Sequence, residues 1–372
     1  MTETARTDVD SGASGAVPGI GTALSAVTMA ATFVPISRGV DDPAIQAAAA
    51  FAFVTVLAFL GARHAALDRR PFAVAAVCSN LAIVVLAGYA LNQGITASLA
   101  LPVGSASLSL VAVAFCTAGL TIGIGAAHFF GLATAGIKRR SVQTAGLTAL
   151  GITGLLGAQL ATVFLAFGAV LALGSLSQPE LVTVSQLGMA VGMGGVAVGY
   201  LVVRGHDRSF LDVRVPTRRD LAWIGAGLVV LFGALIAISA MFYTTGVETS
   251  DHGTAQQAQD NPEILLVLIP ASILIIGPVE EFLYRNIVQK ELYGTFSRPG
   301  AVIVSSVIFA AVHALAYGTA DAGQVIASLA TVFGLSLVLG TIYERTGNVV
   351  VPAAIHGLYN ALLFANLYGT YG

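Results

Sequence analysis

The sequence predicts an all-α fold: a polytopic transmembrane bundle of about eleven spans, with the N-terminus inside and the C-terminus outside. Three observations predict it. Of 372 residues, 56% are hydrophobic and only 10% charged, whereas soluble domains carry about 25% charged residues. Eleven runs approach the roughly 20 apolar residues that a span needs: about 18–37, 44–62, 71–92, 105–136, 143–174, 181–203, 221–243, 263–290, 301–318, 322–343 and 349–368. The loops between them alternate in charge. Segments 63–70, 138–140, 204–220, 290–298 and 343–348 hold most of the Lys and Arg, while 38–42, 91–98, 175–180, 244–263 and 317–323 are neutral or acidic. Basic loops face the cytoplasm, so the alternation supports the span count and sets the orientation.

In chain order, residues 1–17 read as a short disordered tail without the basic n-region of a signal peptide. Residues 18–203 form a six-span membrane module that is nearly free of ionisable groups. It is rich in glycine, as in LGMAVGMGGVAVGY, and small residues at such spacing let helices approach closely. The basic loop 204–220 divides the chain, and 221–372 holds nearly all the intramembrane polar chemistry. No internal repeat joins the two halves, which argues against an inverted-repeat transporter. The scattered basic residues exclude a nucleic-acid interface. Cys78 and Cys116 lie in apolar runs and read as small buried hydrophobes, not a disulfide framework.

Three stretches carry the polar chemistry of the second half. Glu280, Glu281 and Arg285 follow the run ILLVLIPASILII, Phe309 to His313 reads FAAVH, and His356 to Asn360 reads HGLYN. Ionisable residues inside spans are costly and usually face a bundle interior or a wet cavity. Glu281 and Arg285 are four apart and share a helix face, whereas Glu280 points about 100° away and has no local partner. Pro278 leaves the carbonyl of Leu274 without its usual donor and bends or restarts the helix beside Glu280. Counted from the basic ends of their spans at 1.5 Å per residue, Glu280, His313 and His356 lie ~15, ~18 and ~9 Å deep. One shared cavity is geometrically allowed. His128 has no acid or amide at helical spacing and reads as structural; His64, His206 and His252 fall in loops and read as solvated.

A partly desolvated glutamate can act as general base on water, with a histidine orienting that water. A second histidine with an asparagine can stabilise an oxyanion. The set suits amide hydrolysis. Glu280, His313 and His356 could equally hold a zinc ion with water as fourth ligand, although the HExxH signature is absent. Each motif alone also has a structural reading, since a Glu–Arg pair or a membrane histidine often serves packing.

EEFLYR, FAAVH and TGNVVVPAAIHGLYN resemble the signature of the CPBP family of intramembrane proteases, which includes type II CAAX-prenyl endopeptidases and bacteriocin-processing, Abi-like members. Its pattern is EExxxR, FxxxH and HxxxN or HxxxD on successive motif-bearing spans, and every fixed position is present, over a resemblance covering about 205–372. The resemblance implies Glu280 as the water-activating base with His313 as its partner, and His356 and Asn360 at the oxyanion. It implies Glu281 and Arg285 as support. Phe309 opens the second motif and packs beside His313. Asn286 departs from the family, where many members place glycine. Metal dependence stays open between zinc and metal-free glutamate catalysis.

The expected function is therefore an intramembrane endopeptidase acting on a membrane-associated protein or peptide in the lipid bilayer. It is expected in the plasma membrane, opening toward the cytoplasmic side, with a homo-oligomer among its expected partners and no nucleic acid. The competing readings are a non-catalytic immunity or scaffold protein and, behind it, a proton-coupled transporter using Glu280 and His313.

Overall fold

The computed structural model describes residues 16–64, 68–100 and 107–372. The expected tail lies outside them up to residue 15, and helix α1 takes up Ala16 and Val17. Eleven helices are long and apolar enough to cross a membrane, one for each predicted span. Two compact units divide at 141/142, not at the basic loop 204–220 where composition changes.

The first unit holds α1 (Ala16–Ser37), α2 (Pro43–His64), α3 (Arg69–Asn92) and α4 (Leu110–Phe129). A short antiparallel pair, β1 (Ser98–Ala100) and β2 (Ser107–Ser109), precedes α4. The helices meet through alanine and hydroxyl side chains, which suits a medium where apolar surface supplies no driving force between helices. Thr28 Oγ1 donates to Thr117 Oγ1 at 2.8 Å and Asn80 Nδ2 to Thr55 Oγ1 at 3.2 Å. Cys78 and Cys116 are free thiols on the outer surface, which corrects their reading as buried: the interior faces here are taken by residues as small as Ala48, Ala76 and Ala118.

The second unit begins within α5 (Thr134–Leu173) and continues with α6 (Gln178–Val203), α7 (Arg218–Thr245) and the short α8 (Gly253–Asp260). It ends with α9 (Ile264–Leu292), α10 (Arg298–Leu315), α11 (Ala322–Thr346) and α12 (Val350–Tyr371). Lys138, Arg139 and Arg140, expected in a loop, lie in the opening turns of α5; the real break is the turn at 130–133, where Gly131 has φ 67°. The glycine spacing of α6 serves close packing as expected. A Cβ on Gly192 would collide with the carbonyl oxygen of Gly157 on α5.

Two apolar layers set the site helices. Leu283, Tyr284, Ile287 and Val288 of α9 pack with Met193 and Ala197 of α6 and with Ile308, Phe309 and Val312 of α10. Val351, Ile355 and Tyr359 of α12 pack with Leu231 of α7 and with Leu339 and Ile342 of α11. Helices α9 and α12 cross at two glycines. A Cβ on Gly277 would lie 2.5 Å from the Ala353 carbonyl oxygen, and one on Gly357 would lie 2.6 Å from that of Ser272. Only glycine allows backbones so near, and the crossing lies three residues before Glu280 and one after His356.

Candidate active site

Helix α9 is not a uniform α-helix. It opens as α-helix, widens to a π turn over Ser272–Ile276, tightens over Gly277–Glu281 and widens again over Phe282–Gln289. The first π turn absorbs Pro278, which sits in the first positions of the new α segment, so the expected break takes the form of a change of helical pitch. Such π segments are frequent at functional sites. All side chains from Leu283 to Gln289 are buried.

The pitch change separates the two glutamates. Glu281 is fully buried, and its Oε2 accepts from Arg285 Nε at 2.9 Å, as the i,i+4 spacing predicts. Arg285, also fully buried, donates from Nη2 to Ser336 Oγ at 2.8 Å. Its guanidinium lies 5.3 Å from the centre of the Phe309 ring, within cation–π range. Buried charge is tolerated only when paired and hydrogen-bonded; Glu281 and Ser336 satisfy Arg285 Nε and Nη2, whereas the buried Nη1 has no hydrogen-bond partner among the described residues.

A contact between the first and third motifs is missing from the sequence reading. His356 Nδ1 hydrogen-bonds Glu281 Oε1 at 2.9 Å, and its Nε2 lies 3.8 Å from Glu280 Oε2. One imidazole therefore stands between both carboxylates. An ionised carboxylate can only accept, so Nδ1 carries the proton and Nε2 faces Glu280. Glu280 keeps 12% side-chain exposure where Glu281 keeps 0%, and no hydrogen bond to Glu280 is formed among the described residues. Asn360 lies one turn along α12, partly exposed.

His313 closes the α-helical part of α10, where the chain tightens into a 3₁₀ turn. Its Nδ1 lies 2.7 Å from the Phe309 carbonyl oxygen, which can only accept. The δ nitrogen is thus the protonated one, leaving Nε2 as an acceptor in the neutral ring. Phe309 packs beside this imidazole as expected, with ring centres 4.4 Å apart, and reaches His356 at 6.1 Å. Among the described residues no three His, Cys, Asp or Glu side chains converge to hold a metal ion, so Glu280, His313 and His356 do not form a ready ligand set.

Two neighbours of the site escaped the sequence reading. Tyr317 follows the His313 turn, its N–H donating to the His313 carbonyl at 3.2 Å. Burial, then the Glu280 carboxylate, push its phenol pKa up, placing Tyr317 in the field of that glutamate. His252, read as solvated, caps α8 and meets the Tyr317 ring edge-on at 5.1 Å. Its Nδ1 accepts from Thr254 N at 3.1 Å. Burial, assisted by the nearby His313, lowers its pKa from 6.5 to about 4. A strap holds it there: Ser250 Oγ donates to the Tyr317 carbonyl (2.6 Å), Ser328 Oγ to the Ser250 carbonyl (2.8 Å), and Gly253 N to the Ala316 carbonyl (3.0 Å). The polar run TSDHGT between two apolar spans was the available signal.

His206 is likewise not solvated. It stacks on Phe210 at 3.9 Å and pairs with Glu291 at 2.7 Å. Asn286, the departure from the family glycine, clamps the same loop: its Oδ1 accepts from Asp212 N at 2.7 Å.

Fold and site define a class: a polytopic α-helical membrane protein whose buried carboxylates, arginine and His356 gather where α9 and α12 meet, with the half-buried His313 on α10 linked to them through Phe309. Residues 262–362 match the family described as Rce1-like, type II CAAX prenyl endopeptidase. The matched segment contains all three motifs, from Glu280 to Asn360, and supports the CPBP resemblance they carry. A Bacillus subtilis (strain 168) protein, "Putative membrane peptidase YdiL", is 30% identical over 146 residues, covering 39% of this chain and 55% of that protein. The chain thus spans about half the length of this curated relative. No solved structure matches it.

Proposed function

We propose that the protein is an intramembrane endopeptidase that hydrolyses a peptide bond of a membrane-associated protein or peptide. The observation that carries this reading is His356 standing between Glu280 and Glu281, inside the segment that matches the Rce1-like family. Glu280 takes a proton from water, and the hydroxide adds to the scissile carbonyl. The neutral δ-protonated His313 accepts the water's other hydrogen bond at Nε2 and orients the attack. The developing oxyanion is met by Asn360 Nδ2 and by His356 Nε2. Because Nδ1–H is committed to Glu281, His356 donates from Nε2 only when its ring carries both protons. Asn360 donates without any such condition. The protonated Glu280 then passes its proton to the leaving amine as the C–N bond breaks, which restores the carboxylate.

Glu281 and Arg285 hold His356 in register and do not touch the substrate. Every step uses the chain's own groups. The plasma membrane is the proposed location, with access from the cytoplasmic side on the strength of the loop charges; the strap at 250–253, which closes over the far end of the His313 turn, is consistent with it. A homo-oligomer is proposed as the assembled form.

The deciding experiment compares wild type and Glu280→Gln in liposomes against a library of membrane-tethered peptides. Cleavage by wild type that the variant loses supports the reading. Equal cleavage by both removes Glu280 as the base. A biological phenotype intact in Glu280→Gln, with the protein still accumulating, favours the non-catalytic immunity or scaffold reading.

A further inference from the structure

Where the basic loop meets the α11–α12 turn, a cavity of about 240 Å³ is lined by three arginines, Arg214, Arg219 and Arg345, together with Trp223. The arginines come from two separate chain segments, and like charges gathered this way repel unless something answers them. A neighbouring cavity at the same end of the unit shows the contrast. Its cations are neutralised within the protein, Lys290 by Asp212 at 2.8 Å and Arg298 by Glu344 at 3.3 Å.

The arginine cavity is only partly compensated: Asp220 lies in the field of Arg214, and three guanidinium groups face this one carboxylate. Its one carboxylate, Asp220, is committed to the first turn of α7, accepting from Thr217 N and Thr217 Oγ1, both at 2.9 Å. Neither Arg219 nor Arg345 forms an ion pair with a described residue. Arg214 is fixed in place. Its N donates to Asn348 Oδ1 at 3.2 Å, its carbonyl accepts from Asn348 Nδ2 at 3.1 Å, and its Nη2 donates to the Thr346 carbonyl at 2.6 Å. Asn348 itself is fully buried. The fold thus holds Arg214 in place, Arg219 and Arg345 present exposed guanidinium groups beside it, and the hydroxyls around them are already used: Thr217 Oγ1 on Asp220, and Thr346 Oγ1 on the Ile342 carbonyl at 2.8 Å.

Level in the membrane narrows the ligand. Arg219 lies in the first turn of the α7 span and Arg345 in the last turn of α11, so the cavity sits at a membrane–water boundary. Trp223 is one turn further in, at the depth where indole rings settle. Guanidinium forks match phosphate oxygens in geometry as well as charge, and basic pockets beside spans take anionic headgroups.

We propose that this cavity binds the phosphate group of an anionic membrane phospholipid, with Trp223 against the glycerol end. The assignment is independent of the peptidase chemistry.

The test titrates the purified full chain in neutral detergent with phosphatidylglycerol, phosphatidylcholine and inorganic phosphate, following the unfolding temperature. Phosphatidylglycerol raises it in wild type and phosphatidylcholine does not. R219Q/R345Q then needs roughly thirtyfold more phosphatidylglycerol for the same rise, from about 1 kcal/mol per basic residue. Should the double variant fail to fold, R345Q alone reads roughly a fivefold shift on the same basis. Equal responses to the two lipids overturn the proposal, as does an unchanged response in the folded variant. Inorganic phosphate matching phosphatidylglycerol at equal concentration overturns the lipid as source and leaves a soluble phosphate site.

Discussion

His356 and Glu281, 75 positions apart in sequence, are joined by a 2.9 Å hydrogen bond that links the third motif to the first. Through Arg285 Nη2 and Ser336 Oγ the same buried chain reaches α11. Three helices are therefore tied by one polar network, with Glu280, the proposed base, beside its more exposed end.

The first prediction separates the two glutamates. Glu280→Gln lowers cleavage by about 10²–10⁴-fold, the range for general acid–base groups, while leaving the unfolding temperature nearly unchanged. Cleavage in proteoliposomes and a thermal scan of the same preparation check it together.

Glu281→Gln acts first on stability. It leaves Arg285 and His356 without their anion, and breaking a buried pair costs about 3–5 kcal/mol. Yield and unfolding temperature in detergent should fall well below those of Glu280→Gln, with activity lost as a consequence.

A third prediction concerns pH. His252 is held near pKa 4, below the 6.5 of the free side chain, so the unfolded chain binds this proton more readily than the folded one. Its contribution is intact above pH 6.5 and is lost as pH falls from 6.5 toward 4. Thermal scans across that window should show a decline that His252→Gln makes shallower. An identical slope in the variant would remove His252 from the account.

Metal removal gives a fourth. Since Glu280, His313 and His356 do not converge as a ligand set, cleavage should survive exhaustive chelation of the purified protein. Metal analysis of the active fraction accompanies the assay; loss of activity restored by zinc would reverse the expectation.

Much of this was legible in the chain because hydrocarbon is a demanding solvent. Eleven apolar runs became eleven helices, and the pairing of Glu281 with Arg285 followed from helical spacing alone. Other features depended on tertiary contacts that spacing does not encode. Lys138–Arg140 read as a loop because charge was taken as a span boundary, yet a helix can project its basic side chains beyond the membrane edge. His252 and His206 read as solvated because their loops are polar, whereas aromatic neighbours and specific hydrogen bonds enclose both. The division at 141/142 escaped notice because the composition of α5 and α6 matches the first unit while their contacts belong to the second. Cys78 and Cys116 read as buried because, inside a membrane, an apolar run says nothing about which face meets lipid.

The glycine crossing of α9 and α12 has a mechanical consequence. At Gly277 and Gly357 the helices meet backbone to backbone, so the spacing between them is set by direct backbone contact and not by side chains that hop between rotamers. Thermal motion of the surrounding leucines and valines then has little leverage on the distance from Glu280 to His356. The crossing acts as a fulcrum placed beside the chemistry, and a single methyl group added there would move both arms.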